Sequence, residues 1–359
     1  MRVFLVDPTC VRRDTHSWDS LIRFQSHIQA FSEWELEISI PNEESINMTD
    51  LSKLEKIPYR NQILGKKKKL SWFGFVSEVF EAYFRLKRLI LSQQHVGLLL
   101  PNADPGSIAA ILFLAKRYPK CNFFIRLIGW TEFWTPGHPF LIKFIVARVT
   151  RFGNVTTAAE TEPLRKFFNL NLIVPYPLEA QNIDKGESNY LFLAGSARKE
   201  KGFKLLPILA NQLKIASSPF IIVAQRADSR DKDLLMIEDR LSDCKNILLL
   251  PSYLPRHELI DWIEKSRAVL LPYNSRAYKL RGSAILFEAI ERSTPTIAFK
   301  GGGYEKDVID FNLGEIAFDE NDVISALRRF TDNSLKKELY QDFASYSLDC
   351  LRLWLNLKH

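Results

Sequence analysis

Short apolar segments alternate with amphipathic segments along most of the chain. In the first half, apolar runs typical of strands are separated by stretches whose apolar positions recur at helical spacing, as between Ser17 and Phe31. The predicted strands of this half are Val3–Val6, Glu35–Ile40, His95–Pro101, Asn122–Ile128 and Asn154–Ala158. Strands that alternate with helices predict an α/β domain whose ligands bind at the carboxyl ends of the strands.

The second half repeats this alternation more regularly. Its predicted strands are Tyr190–Ala194, Phe220–Ala224, Ile247–Leu250, Val269–Pro272, Thr296–Phe299 and Glu315–Phe318. Its predicted helices are Gly202–Ala216, Lys232–Leu241, Arg256–Lys265, Gly282–Arg292 and Asn321–Thr331, followed by a long amphipathic helix over Ser334–Leu357. Because short, wholly apolar strands belong to sheets that are covered on both faces, this half predicts a parallel, doubly wound sheet.

Length and composition favour a globular protein of two domains. The chain has 359 residues, of which 46% are hydrophobic and 25% are charged. A segment rich in proline and polar residues, Val174–Gly186, is the predicted linker. The sequence contains no run of about 20 uncharged apolar residues, so it predicts no transmembrane helix. The four scattered cysteines predict neither a disulfide framework nor a zinc site, so we expect a cytoplasmic protein.

The net charge of +7 belongs to the first half of the chain. Residues 1–178 contain 23 Lys and Arg against 16 Asp and Glu, which gives +7, and the remainder contains 26 against 26. Lys66–Lys69 stand just before Trp72 and Phe73 at the start of a helical pattern. Such a cluster suits an anionic membrane surface, where each basic residue contributes on the order of 1 kcal/mol. A solvated lysine run ahead of a core helix is the alternative. No nucleic-acid-binding motif is present, so no nucleic acid is expected as a partner.

The segment Leu270–Lys306 contains the most informative pattern. It predicts a buried strand, a loop, a helix that starts at Gly282 and Ser283, a second strand and three glycines from Gly301. A helix N-terminus directs free N–H groups at an anion, and glycine lets a phosphate come close. The segment therefore predicts a site for a nucleotide diphosphate sugar, with Ser283 as cap or donor and Glu288 as acceptor for sugar hydroxyls. An ordinary βαβ unit with a glycine turn is the alternative.

The same segment resembles the donor site of the GT-B glycosyltransferases, specifically the large retaining family 4. In that family, a helix that starts with Gly-Ser or Gly-Phe-Gly is followed by Glu-Ala, a turn, Thr-Pro, a strand and Gly-Gly. The sequences RGSAILFEAI, STPTIAF and KGGG occupy those places here. Leu191–Leu206, which reads LFLAGSARKEKGFKLL, is similar to the strand, glycine, basic residue and Glu-Lys-Gly turn of the family. The resemblance covers the C-terminal half well and the N-terminal half loosely.

The resemblance implies an α/β protein with the GT-B fold, in which two Rossmann-like, doubly wound domains face each other across a cleft. We expect residues 1–175 to form an acceptor-binding domain and residues 176–333 a donor-binding domain. We expect residues 334–359 to form a helix that crosses back to the first domain. The resemblance also implies a retaining reaction with no cofactor and no metal, in which the nucleotide diphosphate sugar is the donor substrate.

At the donor site, the resemblance implies binding by backbone groups and basic side chains. Arg198 and Lys201 take the place of a basic pair that neutralises the diphosphate, and Arg281 adds a third cation. Because negative charge builds on the diphosphate as the glycosidic bond breaks, fixed cations and helix N–H groups stabilise it without a metal. The further donor contacts are expected from Gly195, Ser196, Gly282, Ser283, Glu288, Gly301 and Gly302. A solvated turn is the alternative role of the RKEK sequence.

Three residues of the first half are candidates for the acceptor side. His16 precedes the first predicted helix, where the family frequently has a histidine that faces the acceptor. It is grouped with Arg198 and Lys201 as a catalytic candidate, and a surface or capping histidine is the alternative. Asp104 and Arg126 are predicted at or near strand ends. Asp104 could bind an acceptor hydroxyl, but capping of the next helix is favoured.

Departures from the family pattern leave more than one function open. The family often has two glutamates eight positions apart, and Leu280 stands where the first would precede Glu288. The first hypothesis is a hexosyltransferase of cell-surface polysaccharide synthesis. It would act on a glycan or lipid-linked acceptor, with peripheral attachment to the inner face of the plasma membrane. The second is a non-catalytic GT-B binding or partner subunit, and the third is a nucleotide-sugar epimerase.

Overall fold

The chain divides into two compact units. The structure is a computed structural model, and it describes residues 2–8, 10, 16–39, 72–92, 96–129, 139–181, 188–332 and 338–356. Unit 1 comprises residues 1–177 and 347–359, and unit 2 comprises residues 178–346. Lys66–Lys69 lie outside the described residues.

Unit 1 is built on a six-stranded parallel sheet. The strands are β1 (Arg2–Val6), β2 (Glu35–Ser39), β3 (Val96–Ala103), β4 (Asn122–Leu127), β5 (Val155–Ala159) and β6 (Leu172–Ile173). They lie in the order β2-β1-β3-β4-β5-β6. The helices of this part of the chain are α1 (His16–Phe31), α2 (Trp72–Leu91), α3 (Pro105–Arg117), α4 (Pro139–Val149) and α5 (Glu162–Phe168). All eight residues of β3 are buried, because helices cover both faces of the sheet.

Unit 2 contains a second six-stranded parallel sheet. Its strands are β7 (Tyr190–Leu193), β8 (Ile221–Gln225), β9 (Ile247–Leu250), β10 (Ala268–Leu271), β11 (Thr296–Phe299) and β12 (Gly314–Ala317). They lie in the order β12-β11-β10-β7-β8-β9. The helices are α6 (Leu206–Ile215), α7 (Lys232–Asp239), α8 (Arg256–Lys265), α9 (Ser275–Tyr278), α10 (Ala284–Glu291), α11 (Glu305–Asp310) and α12 (Val323–Asp332). The prediction of two parallel, doubly wound α/β sheets is confirmed.

The order of strands in unit 2 creates a crevice at the centre of the sheet. From β7 the chain moves outward through β8 and β9, then returns to add β10 on the other side of β7. The connections after β7 and β10 therefore leave the sheet towards opposite faces. Ligands of open α/β sheets bind at this switch point, outside the carboxyl ends of the strands.

The last helix, α13 (Glu338–Trp354), contributes to the cores of both units. Its residues from Ser347 onward belong to unit 1, where Trp354 is fully buried. The Trp354 ring meets Phe24 and Phe124 edge-on, at centroid distances of 6.4 and 6.2 Å. Its indole Nε1 donates a hydrogen bond to the carbonyl of Thr156 at 3.3 Å. The C-terminal end of the chain is therefore part of the core that surrounds β1, β4 and β5.

None of the helices within the described ranges combines the length and the apolar character that a membrane span requires.

Candidate functional site

Three loops meet at the carboxyl edge of the sheet in unit 2. Loop 1 (residues 194–202) follows β7, loop 2 (residues 272–283) follows β10 and contains α9, and loop 3 (residues 300–304) follows β11. The N–H of Asn274 donates to the carbonyl of Glu200 at 2.9 Å, which joins loops 1 and 2. The N–H of Gly303 donates to the carbonyl of Tyr278 at 2.8 Å, which joins loops 2 and 3. Backbone hydrogen bonds thus hold the three loops together.

Glycines allow the loops to approach each other closely. Gly202 has φ +83°, and a Cβ added there would lie 2.3 Å from the carbonyl oxygen of Pro272. A Cβ on Gly303 would lie 2.6 Å from the carbonyl oxygen of Arg281. Real side chains do not fit at such distances, so both positions need glycine for the observed packing.

We expect Gly202→Ala to destabilise the protein by about 2–4 kcal/mol, from left-handed backbone strain and the clash with Pro272. Gly153→Ala is the matched control, because no atom lies within 4 Å of the added Cβ. Its effect should stay within about 0.5 kcal/mol. Urea denaturation of both variants measures the difference. Equal stability of the two variants would mean that loops 1 and 2 do not pack as described.

Lys201 is the central charged residue of loop 1. Its Nζ lies directly over Gly195, since a Cβ on Gly195 would come within 2.6 Å of it. The same Nζ is 6.0 Å from the ring centroid of Tyr273. Burial, followed by the nearby Arg198 charge, lowers the pKa of Lys201 to about 8, and Glu200 opposes this shift. Lys201 forms no ion pair with any described residue.

Two guanidinium groups add positive charge near Lys201. Arg198 is exposed, and its Nη1 lies 4.0 Å from Glu200 Oε1. The Cζ of Arg281 lies 5.4 Å from the ring centroid of Tyr278. Burial lowers the pKa of Arg281, and Tyr278 and Glu200 act in the opposite direction. Glu200 is the only acidic residue within the three loops, so this edge of the sheet favours an anion.

A cluster of three tyrosines supports these cations. The ring centroids of Tyr273 and Tyr278 are 4.3 Å apart, and Tyr304 meets Tyr273 edge-on at 6.0 Å. Burial raises the pKa of each of these hydroxyls, so they are neutral near pH 7. Their rings present π faces to Lys201 and Arg281, which stabilises the two cations without neutralising them.

The N-terminus of α10 opens at the same edge of the sheet. Ser283 caps this helix, because its Oγ accepts a hydrogen bond from the N–H of Leu286 at 3.2 Å. Of the two roles predicted for Ser283, the structure therefore shows the cap. Gly282 precedes the cap and is half-buried. Ser196, which follows Gly195 in loop 1, is half-buried as well.

Glu288 lies further along α10 and is buried. Its Oε1 accepts a hydrogen bond from Nη2 of Arg256 at 3.0 Å. Arg256, the first residue of α8, was not among the residues predicted for the site. No local motif indicates it, because the pair is formed by residues on separate helices that are 32 positions apart.

The glycines of loop 3 serve the structure of that loop. Gly301 has φ +92°, and its N–H donates to Oε2 of Glu305 at 2.7 Å. A Cβ on Gly302 would lie 2.5 Å from the Tyr304 ring. Both glycines lie at the carboxyl edge of the sheet, as the sequence predicts. The N–H of Gly301 is engaged by Glu305 there.

The candidates in the first half of the chain all lie in unit 1. Asp104 caps α3, as favoured by the sequence, and its Oδ1 accepts from the N–H of Ser107 at 2.6 Å. Burial raises the pKa of Asp104, and the hydrogen bond from the Ser107 backbone opposes this shift. His16 is the first residue of α1, and its side chain lies outside the described part of the structure.

Arg126 is fully enclosed in unit 1. It donates to the carbonyl of Val174 at 2.6 Å and to that of Pro101 at 3.0 Å. It also forms an ion pair with Glu160 at 3.3 Å and a hydrogen bond to Asn102 at 3.4 Å. Its side chain therefore ties the ends of neighbouring strands together inside the unit rather than presenting its charge to solvent.

Comparison with known proteins identifies the fold. No protein-family model and no curated protein matches the sequence. The solved structure of the trehalose-6-phosphate synthase OtsA has a TM-score of 0.65 and 11% identity, over 99% of this chain and 97% of that chain. A trehalose-6-phosphate protein from E. coli bound with UDP-2-fluoro glucose has a TM-score of 0.62 and 11% identity, over 99% and 97%. HepE from Anabaena in complex with UDP has a TM-score of 0.63 and 12% identity, over 99% and 98%.

These similarities extend over nearly the full length of this chain and of each neighbour. They agree with the two parallel, doubly wound sheets and with the resemblance of the loop sequences in unit 2. The chain has the two-domain GT-B fold.

Proposed function

We propose that this protein is a glycosyltransferase whose donor, a nucleotide diphosphate sugar, binds at the three loops of unit 2. The observation that carries this proposal is the Lys201 ammonium, which lies over Gly195, is partly buried and has no ion-pair partner among the described residues. A partly desolvated charge without a counter-ion costs folding free energy, and a bound anion offsets that cost. The UDP and UDP-sugar in the structural neighbours support a diphosphate as that anion.

In this proposal, the cations of the site act on the leaving group. Negative charge grows on the diphosphate as the bond to the sugar breaks, and Lys201, Arg198 and Arg281 stabilise that charge. Interactions that strengthen as charge develops lower the barrier rather than only tightening ground-state binding. The resemblance adds a retaining, metal-independent transfer of a hexose, and His16 is its third catalytic candidate.

Glu288 has a positioning role in the proposed donor site. Its Oε1 is engaged by Arg256, which holds the carboxylate in one orientation. In this orientation the carboxylate is proposed to face the hydroxyl groups of the donor. The backbone at Gly195, Ser196, Gly282 and Ser283 is the proposed contact region for the diphosphate, and the Lys201 ammonium lies directly over Gly195 there.

Unit 1 would bind the acceptor. We propose a glycan or lipid-linked acceptor and a role in the synthesis of cell-surface polysaccharide, on the strength of the family resemblance. The buried positions of Arg126 and of the cap Asp104 favour structural roles for both, so acceptor contacts fall to other residues of unit 1.

A second candidate function is supported by Leu280, which stands where the family often has the first of two glutamates. A GT-B protein without that carboxylate would bind a nucleotide sugar and transfer nothing. The two functions share the donor site and differ in turnover, so one preparation of protein distinguishes them.

The experiment is thermal unfolding of the full chain with UDP, GDP, ADP and their sugars in the presence of EDTA. A ligand at about one hundred times its Kd stabilises the protein by about 2.7 kcal/mol, which gives a clear rise in Tm. We expect one base to produce this rise and Arg281→Ala to abolish it. Lys279→Ala, an exposed lysine two positions away, should leave the rise intact. No rise with any nucleotide would overturn the donor-site assignment.

The nucleotide sugar identified in this way is then incubated with the protein and a membrane extract. Release of the nucleoside diphosphate that depends on the extract indicates transfer. Binding without such release, with the same loss in Arg281→Ala, indicates the non-catalytic function.

A further inference from the structure

Exposed aromatic rings are concentrated on one layer of unit 1. Among the described residues, five of the six strongly exposed phenylalanines lie on α2, α3 and α4. We call them the phenylalanine face: Phe80, Phe84, Phe113, Phe140 and Phe144. Phe80 and Phe84 are 59% and 62% exposed, and Phe140 reaches 83%. Single exposed apolar residues are common on protein surfaces, but a group of large rings is typical of an interaction site.

The phenylalanine face lies on three helices that pack side by side. α3 packs against both α2 and α4, so the three helices form one layer. Phe80 and Phe84 are one turn apart on α2, and the exposed Val76 extends this row by another turn. Phe140 and Phe144 form the equivalent row on α4. The outer surface of the layer therefore carries two rows of apolar side chains with Phe113 on the helix between them.

Positive charge accompanies the exposed rings on α3 and α4. The sequences of α3 and α4 contain no acidic residue. Their other large exposed side chains are basic: Lys116, Arg117, Lys143 and Arg148. The Cζ of Arg148 lies 4.9 Å from the ring centroid of Phe144, so a cation accompanies one of the exposed rings directly. On α2, Arg88 and Glu81 are both exposed and balance each other in charge.

We propose that the phenylalanine face attaches unit 1 to a membrane surface that contains anionic lipids. Phenyl rings enter the boundary between headgroups and acyl chains, and lysine and arginine remain at the level of the lipid phosphates. A second copy of the chain fits this face less well, because pairing would place the basic side chains of α3 and α4 opposite the same basic side chains of the other copy. The inference is independent of the donor chemistry in unit 2.

The test is co-sedimentation of the full chain with vesicles. We expect binding to vesicles of phosphatidylcholine and phosphatidylglycerol in equal parts, weaker binding in high salt, and little binding to phosphatidylcholine alone. The variant Phe80→Ser/Phe84→Ser/Phe140→Ser/Phe144→Ser should bind these anionic vesicles at least about tenfold more weakly than the wild type. Its Tm should match the wild type, because these rings are exposed in the folded protein.

The control variant is Ile215→Ser/Met236→Ser, which removes exposed apolar side chains from unit 2 and should bind vesicles like the wild type. Failure of the wild type to bind anionic vesicles would overturn the proposal. The proposal would also be overturned if the phenylalanine variant bound vesicles like the wild type while replacement of Lys66–Lys69 by Gln abolished binding. A wild-type dimer that the phenylalanine substitutions convert to a monomer would show that a second copy covers the face instead.

Discussion

Replacing Lys201 by methionine is expected to weaken nucleotide binding by about 30-fold or more while making the ligand-free protein more stable. The pKa of Lys201 is lowered from 10.5 to about 8 in the folded protein. At pH 7 Lys201 is protonated in both states, but its charge is less favourable in the folded protein than in the unfolded chain. The resulting loss in the free energy of unfolding is as much as about 3 kcal/mol, and the variant avoids it. Methionine keeps the unbranched apolar stem and removes only the ammonium.

The pH dependence of this effect has a defined sign. Above pH 8 the folded protein loses the Lys201 proton while the unfolded chain keeps it up to about pH 10.5, so the wild-type penalty disappears across this window. The stability advantage of Lys201→Met should thus be largest below pH 8 and shrink above it. Nucleotide affinity of the wild type should fall as pH rises through 8, because a diphosphate prefers the charged ammonium.

Urea denaturation at pH 7 and pH 9, with nucleotide titration by calorimetry, measures both effects. Lys204→Met is the matched control, since Lys204 is an exposed lysine three positions away. It should change neither stability nor affinity. If Lys201→Met destabilises the ligand-free protein and binds the nucleotide like the wild type, Lys201 is a structural residue and the donor-site assignment fails.

The second large effect is expected at Arg126, where substitution by alanine should destabilise unit 1 by about 3–5 kcal/mol. The guanidinium is fully buried and is engaged by two backbone carbonyls and by Glu160. Its removal takes one donor from the Glu160 carboxylate and one from each of the carbonyls of Val174 and Pro101. Burial lowers the pKa of Arg126, and the ion pair with Glu160 opposes this shift. Removal of either side chain therefore leaves the other without its ion-pair partner.

Chemical denaturation of Arg126→Ala measures this loss, and nucleotide binding by unit 2 reports whether the remaining protein is intact. Arg151→Ala, on an exposed turn of the same unit, is the control and should behave like the wild type. A normal denaturation curve for Arg126→Ala, combined with loss of transfer to the acceptor, would instead place Arg126 in acceptor binding, as its position on a strand first suggested.

The alternation of apolar strands and amphipathic helices was sufficient to predict eleven of the twelve strands, but not β6, which has only two residues. β9, β11 and α8 have the predicted bounds, because their apolar periodicity ends sharply at polar residues. The helices that the sequence did not indicate lack such a signal. α4 is apolar on most of its surface, so it shows no amphipathic period, and α9 has only four residues.

The candidate site in unit 2 could be predicted only where local sequence motifs indicate its residues. In a parallel sheet the carboxyl ends of all strands share one edge, so the loops with Lys201, Arg281 and Gly301 had to meet there. The partner of Glu288 could not be predicted, because Arg256 reaches it from the start of another helix. The burial of Arg126 was also hidden, since an arginine near a strand end suggests a solvent-facing site unless the carbonyls that receive it are known.

The position of Trp354 in the core of unit 1 affects how the chain folds during its synthesis. The ribosome completes residues 1–177 before any of unit 2 exists, yet Phe24 and Phe124 lack the Trp354 ring until residue 354 has been added. At usual elongation rates this interval is roughly 10–35 s. Throughout it, the nascent first unit presents aromatic surface to chaperones. A premature stop just before Trp354 would leave every residue of the second unit translated and the first unit without the core residues Trp354 and Leu355.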